Sequence, residues 1–281
     1  MRVAVLCYHS QNIQGHTYAL NDHVAFEQDI KTIMGKNIPI ISVEQLVNHL
    51  KGICILDIQA AVVLTCDDGT ILDWLDYQHP EFGLQKSFKN ILRAELGEPL
   101  PKSVMTSFVI ACPVARRHID QGCYGGAELS SESWWLEAAK SGCWAIENHS
   151  WNHLHVCLPF QTAPERPLGQ FYTVDNYLMA TKQVQQASRL INARLVESGK
   201  VVKYFAYPYG HAAQYLETHY FPSYGALHGI EAAFTTEAQF VSNTSNIFSL
   251  PRFVCGEAWK NTEQFNELLD DLVFNKSYSI S

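Results

Sequence analysis

Short apolar runs alternate with segments of helical spacing along this chain, and that alternation limits its folds more than any other feature. Residues 3–8, 61–66, 104–111, 143–146, 201–207, 232–235 and 248–254 read as strands, with a shorter one at Ile38-Pro-Ile-Ile41. Val24, Phe26, Ile30, Ile33 and Met34 recur at helical spacing and predict a helix over 22–35. Ser42 followed by Gln45 has the form of a capping box, opening a helix that ends near Gly52. Further helices are expected near 85–96, after a Ser131 cap with Trp134, Trp135, Leu136 and Ala139, over 174–197 behind a polar, Pro-rich loop at 157–170, and over 262–274. Alternating β and α units imply a mainly parallel sheet, closed or nearly closed, so the fold class is α/β, a distorted barrel of about seven strands. The 281 residues suffice for one core and read as a single domain, 1–281, with an insertion at about 70–102 carrying Trp74, Tyr77 and Phe82.

Composition excludes some functions. The net charge of −8, with no basic tract, argues against a nucleic-acid partner. No run approaches the roughly 18 apolar residues of a membrane span. The opening Met1-Arg-Val-Ala-Val-Leu-Cys-Tyr-His9 is too short in its apolar part for a secretory signal, which points to the cytoplasm. Eight cysteines (7, 54, 66, 112, 123, 143, 157 and 255) form no CxxC pair and read as free thiols in a reducing compartment. Aromatic residues make up 12%; sugar clefts use such rings, but so do cores. The oligomeric state is left open.

Two strings carry chemistry. In His149-Ser-Trp-Asn-His153 the histidines stand four apart, so on one face of a helical turn both imidazoles reach a single metal ion. Ser150 is placed to cap that turn and orient a histidine. Thr65-Cys66-Asp67-Asp68-Gly69 ends the apolar run Ala61-Val62-Val63-Leu64. Two adjacent carboxylates at a buried strand end need a cation beside them; one can be a third ligand and the other a general base. The competing reading is a plain Asp-Asp-Gly surface turn. Phe205-Ala-Tyr-Pro-Tyr-Gly210 marks a bend at a strand end, where a backbone N–H can face a developing oxyanion.

These strings resemble the motifs of the NodB-homology polysaccharide deacetylases, carbohydrate esterase family 4. Thr65–Gly69 is similar to TFDDG with Cys66 for Phe. His149, Ser150 and His153 match H-S/T-x-x-H, and Ala206–Gly210 resembles RxPYG with Ala for Arg. Leu6-Cys-Tyr-His9, Thr106-Ser-Phe-Val-Ile110, Phe234-Thr-Thr and Leu250-Pro-Arg252 resemble further strands, so the likeness covers nearly the whole chain. The resemblance implies hydrolysis of an N-acetyl or other N-acyl group on an amino sugar or small sugar conjugate. It makes Asp67 the base, Asp68, His149 and His153 the ligands of a divalent metal ion, Zn²⁺ in the first place, and the Tyr209 N–H an oxyanion donor. Arg252 is the candidate to replace the missing motif Arg as partner of Asp67; the alternative is a surface Arg at a strand end. The family's late Leu-x-His acid has no match after His228, leaving His9, His211 or Asp67 itself for that role. The partner expected is a small or oligosaccharide N-acylated substrate, with Trp74, Tyr77 and Phe82 walling its pocket. Two other functions stay open: an amide or cyclic-amide hydrolase on the same fold, and an inactive sugar-binding homologue.

Overall fold

A computed structural model of the chain describes residues 1–159 and 168–274; residues 160–167 of the expected loop lie outside them. Seven parallel strands form one sheet: β1 (Arg2–Tyr8), β2 (Ala60–Cys66), β5 (Met105–Val109), β6 (Trp144–Asn148), β7 (Tyr204–Ala206), β8 (Ala232–Phe234) and β9 (Phe253–Val254). Their spatial order is β8-β7-β6-β5-β2-β1-β9, and β3 (Tyr77–His79) and β4 (Gly83–Gln85) make a separate antiparallel hairpin. The two ends of the order meet through one segment. The Leu250 N–H donates to Ala233 O at 2.8 Å and the Thr235 N–H donates to Leu250 O at 2.8 Å, while Phe253 pairs with Leu6 of β1. Residues 250–254 therefore bridge both edges, and the α/β barrel expected from the alternation is formed.

Alternation along the strands sorts two cores. Val3, Val5, Ala61, Val63, Phe108, Ala206, Phe234 and Leu250 pack in one cluster with Val43, Leu46 and Val47 of α2 (Val43–Leu50). Strands from all parts of the sheet can meet only on its concave side, so this cluster fills the interior. The intervening residues Ala4, Leu6, Tyr8, Val62 and Leu64 pack outward, with Phe26, Ile30 and Ile33 of α1 (Asp22–Gly35) and with Phe265, Leu268 and Leu269 of the terminal helix Thr262–Phe274. Continued alternation brings Thr65 and Asp67 to the interior face at the upper end of β2.

The α1, α2 and terminal helices stand where the spacing predicts, and Ser42 and Gln45 form the capping box. Other expectations need correction. The strand at Ile38–Ile41 shrinks to a single bridge, Ile40 with Val62. Within the insertion, the helix is α3 (Phe88–Leu96), capped by Ser87. A helix at α4 (Pro113–Cys123), with few apolar residues to announce it, was not expected. Helix α5 (Trp135–Ser141) starts after Trp134, and Ser131 instead accepts the Ser133 N–H in the preceding turn. The long helix runs as α helix Tyr177–Ala180, a π turn Thr181–Gln186 and α helix Ala187–Leu195. Trp74 does not wall a pocket: it is buried in the outer core, edge-on to Trp144 at 5.7 Å. Tyr77 and Phe82 pack on a small cluster of Ile13, Leu72 and Leu129. No helix among the described residues is long and apolar enough to cross a membrane.

Candidate active site

The upper ends of β2 and β6 carry the two strings to one place. Asp67 leaves β2 with its N–H on Tyr8 O at 3.0 Å, and Asp68 then takes a left-handed backbone, φ 70°. The next residue must be small: a Cβ on Gly69, φ +72°, would meet Val109 at 2.4 Å. Gln11 donates its side-chain N–H to Asp68.

The histidine string is not a helical turn, contrary to expectation. It is a loop with positive φ at Ser150 (72°) and His153 (61°), and both histidines still converge. Their ring centroids are 4.8 Å apart. Side chains hold the loop. Asn148 Oδ1 accepts the Ser150 N–H at 2.7 Å, and Ser150 Oγ accepts the His153 N–H at 2.9 Å. The Ser150 cap is therefore present, in a different backbone. Asn148 Nδ2 in turn donates to Val184 O in the π turn and to Ser188 Oγ, both at 2.9 Å. Gln183, also in the π turn, donates to Asn152 Oδ1 at 2.9 Å.

Asp68 Oδ1 lies 3.6 Å from His149 Nε2 and 3.6 Å from His153 Nε2. Ligand atoms on one tetrahedral Zn²⁺, with bonds near 2.1 Å, stand about 3.4 Å apart, so this spacing fits an ion. The donor chemistry fits as well. His149 Nδ1 is 2.9 Å from Ala206 O, an atom that can only accept, so Nδ1 donates there and Nε2 is the ring nitrogen turned towards Asp68. Burial, then the neighbouring His149 and His155, hold the His153 ring far below the usual imidazole range and keep it neutral. One carboxylate and two imidazoles, all with reach to a common point, make a set suited to a divalent cation with open positions.

Arg252 is fully buried and grips Asp67 with both ends of its fork, Nη1 to Oδ1 and Nη2 to Oδ2 at 2.7 Å each. Its Nε donates to Thr235 O at 3.0 Å and Nη1 to Thr65 Oγ1 at 3.2 Å. The surface-Arg alternative is thereby excluded: Arg252 sits in the seam that closes the barrel. Burial pushes the Asp67 carboxyl up, but Arg252 and then His149 outweigh it and hold the group well below the usual carboxylate range. Asp67 Oδ2 is 3.8 Å from His149 Nε2.

Tyr209 sits in the short turn Pro208–Gly210 with φ 59°, and its ring lies 4.4 Å from that of His153. The turn bonds run from Gly210 N to Tyr207 O and from His211 N to Pro208 O, and neither uses the Tyr209 N–H. Gly210 is required there, since a Cβ would lie 1.8 Å from Thr236 Oγ1. Of the two histidines among the three alternative acids, His9 groups with Cys7 and with Asp67, the third, their ligand atoms within 4.8 Å. His211 lies tilted against Tyr172 and Tyr209, ring centroids 5.0 and 5.5 Å away.

Sequence reasoning missed a buried polar network behind the Asp pair. Asp73 accepts from Ser10 Oγ at 2.5 Å and from Ser107 Oγ at 2.7 Å; Ser107 also takes the Trp144 indole N–H at 2.8 Å and meets Cys66 Sγ at 3.2 Å. Burial raises Asp73 to about 7. An acidic residue within Ile-Leu-Asp-Trp carried no motif to signal it.

No protein-family model and no curated protein matches the chain. Solved structures do match. Streptococcus pyogenes deacetylase PplD, determined with acetate, has a TM-score of 0.62 at 15% identity, over 96% of this chain and 97% of that one. IcaB from Ammonifex degensii has a TM-score of 0.62 at 16% identity, over 96% and 97% of the two chains. The BpsB deacetylase domain from Bordetella bronchiseptica has a TM-score of 0.58 at 15% identity, over 90% and 96%. The chain therefore has the fold found in these three structures, two of them described as deacetylases.

Proposed function

We propose that this chain is a metal-dependent N-deacetylase of the NodB-homology type, hydrolysing an N-acetyl group on an amino sugar. The observation that carries this reading is the convergence of Asp68, His149 and His153 beside an Asp67 clamped by Arg252. Its fold neighbours include deacetylases, one of them solved with acetate, the acid such a reaction would release.

Asp68, His149 and His153 would hold a divalent cation, Zn²⁺ in the first place. Such an ion supplies Lewis acidity, polarising an acyl carbonyl and lowering the pKa of water. The chain's own residues do the rest. Asp67, kept ionised and aimed by the Arg252 fork, takes the proton of the attacking water. The Tyr209 N–H, left over by its turn, faces the oxygen on which negative charge develops. His9 donates a proton to the departing amine; its grouping with Asp67 favours it over His211. The cyclic-amide hydrolase and the sugar-binding homologue gain no support from the site or from the comparisons.

The test is release of acetate and free amine from N-acetylglucosamine oligomers, with cyclic ureides as the parallel substrate. Acetate release by wild type and its loss in Asp67→Asn, with metal retained, is the expected result. Turnover of ureides alone would replace this reading with the cyclic-amide one.

A further inference from the structure

A second group of potential ligands lies beside the first and takes no part in the chemistry above. Helix α4 ends at Cys123, and the loop that carries His153 continues through His155 and Cys157. The sulfurs of Cys123 and Cys157 are 3.2 Å apart, and with a ring nitrogen of His155 they lie within 4.8 Å of one another. Two sulfurs in a disulfide are about 2.05 Å apart, whereas two thiolates on one tetrahedral Zn²⁺, with Zn–S bonds near 2.3 Å, stand about 3.8 Å apart. The observed spacing is nearer the second, and a disulfide gives the convergent histidine nothing to do. The residue before Cys123 is glycine, and a Cβ there would meet Cys157 Sγ at 2.7 Å; the close approach of the two cysteines depends on its absence.

We propose that Cys123, His155 and Cys157 bind a second, thiophilic metal ion, Zn²⁺ or one of similar softness, with solvent completing the coordination. Binding takes the metal as M²⁺, releases the two thiol protons to solvent and transfers no electrons. Cys123 is exposed and Cys157 partly so, which leaves a path for the ion to enter. The rings of His153 and His155 are 5.6 Å apart, so the second ion would tie the His153 loop to the end of α4. The proposal does not depend on the deacetylase reading.

Cobalt titration of chelated, reduced protein tests it, because a thiolate-to-cobalt charge-transfer band reports sulfur ligands and the Asp68–His149–His153 group has none. The band is expected in wild type and in His149→Ala, and should vanish in the Cys123→Ser/Cys157→Ser double variant. Elemental analysis after zinc loading should fall from two equivalents to one in either variant. No band in reduced wild type, or a band that survives the double substitution, overturns the proposal. So does a cross-linked 123–157 peptide from a protein that binds no metal when reduced, which would make the pair a disulfide.

Discussion

At the scale of single residues, Arg252 has the most exacting position. It is buried, four of its donor contacts are made, and it holds a carboxylate that would otherwise be driven towards protonation. A lysine there keeps the charge but cannot reproduce two parallel bonds to Asp67 and one to Thr235 O. Arg252→Lys should lower kcat by about tenfold or more, roughly 1.4 kcal/mol in the barrier, with metal content unchanged. A kcat within twofold of wild type would show that the aim of Asp67 does not matter. The Asp-Asp-Gly and HxxxH strings were legible because each is local. Arg252 could be reached only as a substitute for a missing Arg, since its partner lies far away in sequence and the seam that joins them is a product of barrel closure. The backbone at 149–153 was not legible. A spacing of four suits a helical turn and also this loop, and no glycine marks the positive φ at Ser150 and His153.

Among elements, the long helix does more than cover the sheet. Its π turn faces the His loop and holds it through Asn148 and Asn152, in keeping with the frequent placement of π bulges at functional sites. Asn148→Ala should therefore weaken metal binding by about 10- to 100-fold, as loss of outer partners of ligands does, measured by competition with a chelator. Unchanged affinity would mean that the loop holds itself. The α2 cap serves as a contrast. Ser42→Ala removes a capping-box acceptor far from the site and should cost about 1 kcal/mol in urea denaturation without changing kcat. The capping box announced α2, and the period of the apolar residues announced α1. It could not announce α4, whose buried face is only Ala115, Arg116, Ile119 and Asp120. Nor could it separate Trp74 as a core ring from Trp74 as a pocket wall, because both want an aromatic residue.

For the whole molecule, buried acids set the response to pH. Burial raises Glu147 to about 8 and Asp29 and Asp73 to about 7. Each keeps its proton in the folded chain at a pH where the unfolded chain has lost it, so stability falls as pH rises towards the folded value. Several histidines, His23 and His228 among them, are pushed down by burial, and their effect acts only below the ordinary imidazole range near 6.5. Between pH 6.5 and 8.5 the acids therefore decide the sign. The denaturation midpoint of chelated protein should fall over that window. Glu147→Gln, which can still accept the Lys203 and Tyr204 N–H groups, should flatten the fall. A midpoint that rises with pH would contradict the assignment. The barrel as a whole was legible from alternation alone. Its closed or nearly closed form was expected with it, though the strand read over 248–254 is reduced to a two-residue strand and one bridge. The central claim is that Asp68, His149 and His153 form a metal centre that the rest of the barrel serves. It is tested most directly by the metal content of purified protein in a Cys123→Ser/Cys157→Ser background, with and without His149→Ala. One equivalent of Zn²⁺ or a similar ion is expected, lost in the His149 variant. No metal in either protein after reconstitution would contradict it.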